Sequence, residues 1–230
     1  MAQGMGVDLD HIFGTLLERR LNAAPVGNPA QRFEVLNFAV TGYPLTQVFD
    51  VALEDVPRFS PDVYMLVLTD LFVSGSWDAH LDQVIQYEID PKYDFLRQAL
   101  RQAKVSAKDD SIVLHAKLEP FRISLLRDML LEIKSRAARD HAGFIAVILP
   151  ALEDGHLSTN RLNEMPGLLD SLGITFVDLR DTFEGFSDLD PLRLDWDNAH
   201  PNRQGHAIIA DKLYSKLLAQ PEARAAVTGN

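Results

Sequence analysis

The sequence contains no cysteine. Disulfides, thiol nucleophiles and zinc–thiolate sites are therefore excluded, while the compartment is left open. Basic residues are in the minority, 22 Lys and Arg against 33 Asp and Glu, for a formal net charge of −11. A surface of that sign repels phosphate backbones and anionic headgroups, so nucleic acid is not an expected partner. No apolar run approaches the roughly 20 residues that a membrane-spanning helix requires. The opening residues "MAQGMGVDLDH" lack the basic stretch and apolar core of a secretion signal, and a cytoplasmic location is the expectation. There is no GxxxxGK[ST] phosphate loop. The "GMG" at 4–6 has neither the preceding strand nor the third glycine of a dinucleotide fingerprint. The histidines His11, His80, His115, His141 and His156 show no ligand-like spacing, so neither a metal nor a cofactor is expected.

What is present is a chain with 47% hydrophobic residues, enough for a sizeable core, and no repeat, low-complexity segment or linker. A single domain spanning 1–230 is the economical reading. Short apolar runs alternate with helical patterns, the signature of a parallel α/β sheet. Buried strands are expected at 33–40 ("FEVLNFAV"), 61–69 ("PDVYMLVLT"), 143–150 ("GFIAVILP") and 173–179 ("GITFVDL"). Asp8 is a candidate cap for a first helix carrying Leu9, Ile12, Phe13, Leu16, Leu17 and Leu21. Further helices are expected from Leu45 to Val56, around 91–104, over 121–140, within 151–172 and over 202–219; 111–119 reads as a short strand or an extended connection. The chain opens on a helix, whereas doubly wound sheets usually open on a strand.

The chemistry-bearing stretch is "DNAHPNRQGH" at 197–206. Asp197 precedes His200 by three residues, and in a tight turn such a carboxylate can hold one ring nitrogen and leave the other as a general base. A bare Asp-x-x-His is common by chance and more often marks a capped helix start. A second stretch, "VLNFAVTGY" at 35–43, sets Asn37, Ala39 and Gly42 in what reads as a strand-to-helix turn.

Together the two stretches resemble conserved blocks of the SGNH (GDSL-like) hydrolases. The last block of that family reads D-x-x-H-x-N-x-x-G-H, matched by Asp197, His200, Asn202, Gly205 and His206; the turn N-x-[GA]-x-x-G is matched by Asn37, Ala39 and Gly42. The resemblance covers nearly the whole chain. It implies a three-layer α/β/α sandwich with a flavodoxin-like parallel sheet and an ester hydrolase acting by a Ser-His-Asp mechanism. His200 and Asp197 would be catalytic, Gly42 would supply an oxyanion-hole N–H, and the substrate would be a small-molecule or carbohydrate ester. Gly205 and His206 would be structural.

Two departures qualify the resemblance. The family opens on a strand ending in G-D-S, whose Ser is the nucleophile. Here "MAQGMGV" resembles the residues just after that Ser, with Gly4 at the family glycine, so the nucleophile falls one residue before Met1. The third family block, G-x-N-D, has an Asn oxyanion donor. Here that position is Leu71, or Asp70 with a shift of one. Leucine cannot donate, and an ionised aspartate would repel an oxyanion. Ser74, Ser76 and Thr41 are the hydroxyls nearest the expected cleft, and ordinary loop roles are their default reading. Two functions are therefore open: an ester hydrolase whose Ser lies outside residues 1–230, or a catalytically inactive relative that binds a ligand or partner. In either case the missing first strand would leave two sheet edges, beside 33–40 and 61–69, so that the fold is expected to be destabilised, rearranged or completed by a neighbouring segment or chain.

Overall fold

The computed structural model describes residues 2–23, 31–73, 79–153, 156–158, 162–195 and 197–229, with backbone alone at 71, 79, 153, 156–158 and 197–199. In chain order its elements are α1 (Phe13–Ala23), α2 (Leu45–Glu54), β1 (Val63–Leu68), α3 (Asp70–Val73), α4 (Ala79–Gln86), α5 (Asp94–Ala103), α6 (Ser111–Leu118) and α7 (Arg122–Arg139). The chain continues through β2 (Gly143–Ile148), β3 (Ala151–Glu153), β4 (His156–Ser158), α8 (Met165–Ser171), β5 (Thr175–Asp178), β6 (Arg193–Leu194), β7 (Asp197–Pro201), α9 (Arg203–Ala219) and α10 (Pro221–Thr228).

Alternation along the strands builds the layers. β1, β2 and β5 form a parallel sheet in that order, with Val63 opposite Gly143 and Ile145 opposite Thr175. Tyr64, Leu66, Leu68, Ala146 and Ile148 pack with α2, α7 and α8 on one face; Ile145, Val147 and Val177 pack with α1, α9 and α10 on the other. β2 is central and buried on both faces, from Ile145 to Leu149. β1 is buried on one face only, with Val63, Met65 and Val67 half-buried on the α1/α9 side. The result is the expected α/β/α sandwich. At the amino end of β1, the Tyr64 hydroxyl donates to Asp140 at 2.5 Å and Arg136 donates to the same oxygen at 2.9 Å, so the end of α7 is tied to the sheet it re-enters.

Three expectations are corrected. Residues 33–40 form no strand, and β1 has no ladder partner on its outer side among the described residues. Leu36 and Val40 are exposed, and the backbone N–H groups of Phe33 and Val35 are taken by the side chains of Asn22 and Glu18 instead of a ladder. A segment needs a paired neighbour to become a strand, and none of the described residues pairs with this one. Residues 111–118 form helix α6, because Asp110 accepts the N–H of Val113 and seals the first turn. Asp8 makes no cap bond; Leu9–His11 form a separate 3₁₀ turn, and α1 starts at Phe13. No described helix is long and apolar enough to cross a membrane.

Candidate active site

Asp70 and Leu71 follow the carboxyl end of β1, the side on which crevices open in α/β sheets. β1 ends at Leu68, and the Thr69 carbonyl accepts from Phe72 at 3.0 Å to start α3. Asp70, half-buried, and Leu71, whose side chain is not described, therefore sit in the first turn beyond the strand. α2 returns to the amino end of β1 through a short connection, so its first turn, and Gly42 just before it, lie at the same end as Asp70. The Thr46–His80 contact at 3.1 Å links the start of α2 to the start of α4, which supports that direction.

Gly42 is exposed and adopts φ +81°, with nothing within 4 Å of where a Cβ would stand. Backbone conformation, not crowding, is the reason for glycine here. Asn37 organises the preceding turn. Its Oδ1 accepts the Ala39 N–H at 3.0 Å, and its Nδ2 donates to the Ala2 carbonyl at 2.7 Å. Thr41 hydrogen-bonds Gln3. The segment 2–4 thus runs alongside the Asn37–Gly42 turn.

His200 and Asp197 lie on β7, an irregular strand paired with β6 through Arg193–Pro201 and Leu194–Asp197. His200 is half-buried, and the Asp197 side chain lies outside the described residues, as do Ser74 and Ser76. The chain immediately after His200 is tightly determined. Asn202 caps α9, its Oδ1 accepting from Gln204 at 2.9 Å and Gly205 at 3.2 Å. Its Nδ2 donates to the carbonyls of Pro191 at 2.8 Å and Arg193 at 2.9 Å, and its own N–H donates to Leu192 at 2.8 Å. A Cβ at Gly205 would stand 2.5 Å from the Leu192 carbonyl oxygen and 2.7 Å from Pro201 Cβ. The end of the motif therefore presses the start of α9 against the chain leading into β6.

His206 departs most from an ordinary surface position. It is 1% exposed, its Nδ1 accepts the Phe13 N–H at 3.2 Å, and its ring stacks on Phe13 with centroids 5.8 Å apart. Burial foremost lowers its pKa to about 4. The sequence offers one clue to this, a histidine on the inward stripe of the last long helix with Ile209 and Leu213. A shallow open groove of about 350 Å³ follows the outer side of β5, lined by Phe176, Asp178, Lys216 and Gln220 among others; it contains none of the candidate residues. No group of three metal-ligating side chains occurs among the described residues.

The class that the architecture defines is an α/β/α sandwich with a GDSL-like fold. Neither a family model nor a curated protein matches the sequence. Among solved structures the chain is similar to a "putative lipolytic protein of G-D-S-L family" from Desulfitobacterium hafniense DCB-2, with TM-score 0.56 and 12% identity over 93% of each chain. At that identity the likeness is one of fold.

Proposed function

We propose that residues 1–230 form the acid–base portion of an SGNH-type serine ester hydrolase, acting on an acyl or acetyl ester of a small molecule or carbohydrate, with the nucleophilic Ser supplied from outside these residues. In this reading His200 takes the Ser hydroxyl proton as the oxygen attacks the ester carbonyl, and Asp197 orients and stabilises the imidazolium. The Gly42 N–H stabilises the resulting oxyanion. Collapse expels the alcohol, which receives the proton from His200. Water, deprotonated by the same imidazole, then releases the acid.

The observation that carries this reading is the course of the segment 2–13. It lies against the Asn37–Gly42 turn at one end and against His206, on the helix after His200, at the other. A Ser preceding that segment would enter between the two blocks. The outer edge of β1, unpaired among the described residues, fits a strand arriving by the same route. The test is hydrolysis of short-chain p-nitrophenyl esters by the longest natural polypeptide containing residues 1–230, with and without His200→Ala. Residues 1–230 alone are expected to show little or no turnover, because the covalent route needs the Ser.

One observation favours the second reading, a non-catalytic binding domain. Leu71, or Asp70 with a shift of one, is the position that the resemblance gives for the family's Asn donor, and neither residue, in the first turn after β1, carries an amide. Losing one oxyanion donor typically costs about 10²–10³-fold in kcat. Turnover that depends on His200 would rule this reading out.

A further inference from the structure

We propose that His206 is a positioning residue: by accepting the first amide of α1 it clamps the segment 2–13 to the start of α9, and so sets the distance between His200 and whatever that segment carries to the Asn37–Gly42 turn. The proposal rests on the reading of His200 as the base.

A helix leaves its first amides without intrahelical acceptors, and a buried one needs a partner from elsewhere. α1 receives that partner from a side chain 193 positions away in sequence, the Nδ1 of His206. A ring nitrogen that accepts carries no proton, so the neutral ring holds its proton on Nε2. The neutral state is also the one that burial favours here. Protonation would set an N–H against the Phe13 N–H and release the clamp.

The clamp is braced on both sides. Asn202 and Gly205 fix the start of α9 against the Pro191–Arg193 backbone, so His206 projects from a rigid base. On the other side, Ile12 packs into the turn at Gly4, where a Cβ would stand 2.0 Å from Ile12 Cγ2 and φ is +78°. The chain from Phe13 back to Gln3 and Ala2 is therefore a short relay ending on Thr41 and Asn37. His200 lies six residues before His206, across the Asn202 cap. A displacement of α1 relative to α9 would thus open the gap between the two halves of the proposed site.

The experiment is NMR on the 230-residue protein, without substrate. A trans-hydrogen-bond ¹⁵N–¹⁵N coupling between the Phe13 amide and His206 Nδ1 should be measurable in the wild type; its absence in a well-resolved spectrum would overturn the proposal. His206→Phe keeps a stacking ring and removes the acceptor. The Phe13 amide should then exchange at least tenfold faster, and the amides of residues 37–42 and the His200 ring should shift. His206→Asn puts a carbonyl oxygen near the position of Nδ1 and should restore both. Unchanged exchange and unshifted 37–42 resonances in His206→Phe would overturn the clamp, as would failure of His206→Asn to restore them at a matched urea midpoint. If instead no turnover ever depends on His200, the hydrolase reading falls while these measurements still decide the clamp.

Discussion

Among single residues, His206 makes the sharpest prediction. Its folded-state pKa of about 4 lies below the ordinary value of 6.5. Between those values the unfolded chain takes up a proton that the folded chain refuses, so stability is fully present above pH 6.5 and falls as pH drops toward 4. The loss over that window is roughly 3 kcal/mol from this residue. Urea midpoints measured from pH 7 to 4.5 should show the slope in the wild type and lose most of it in His206→Asn. Asp140, held below the usual carboxylate range by Arg136 and Tyr64, adds its own loss only further down, as pH falls through its depressed value. Gly205→Ala should cost about 1–3 kcal/mol, since the new methyl meets backbone oxygen rather than a movable side chain. Asn202→Ala should cost about 2 kcal/mol, because it removes the cap and strips two carbonyls of a donor. Thermal or urea unfolding at pH 7 checks both. The motif positions were legible in the sequence, but the reason for each was not. Nothing in "NRQGH" says that the glycine faces a carbonyl or that the histidine reaches the first helix, because those partners come from distant parts of the chain.

For whole elements, apolar pattern is a good guide where a segment's surroundings are supplied by the segments it naturally meets. β1, β2, β5, α7 and α9 all fall within, or within a residue of, the ranges that their patterns define. Pattern misleads where an element depends on something it cannot register. "FEVLNFAV" has strand composition, yet a strand is a pairing, and its backbone donors at Phe33 and Val35 go to Asn22 and Glu18. "SIVLHAKL" looks strand-like by its apolar, β-branched start, and the Asp110 cap decides for helix. The small strands β3, β4, β6 and β7 and the last helix α10 carry too short a signal to be read. The difference is measurable by amide hydrogen exchange. Residues 145–148, paired on both sides and buried, should exchange slowest, and Leu36 to Val40 should exchange orders of magnitude faster. Slow exchange across 36–40 would mean that they are paired after all.

Across the molecule, the two hydrophobic clusters on either face of the sheet define the layers, and Asp70 and Leu71 follow the carboxyl end of β1. The class of fold was legible because alternating strands and helices leave few topologies. The asymmetry of the sheet was not, since it depends on which segments pair. β1 keeps one face half-covered, and its outer edge is unpaired among the described residues. The role proposed for His200, as base for a serine from outside these residues, is decided by one comparison of rates. The longest natural polypeptide containing this domain and its His200→Ala variant are assayed for p-nitrophenyl ester hydrolysis. If His200 is the base, the natural polypeptide turns over and the variant is slower by at least about 10³-fold. Turnover that is absent from both, or equal in both, would refute that role.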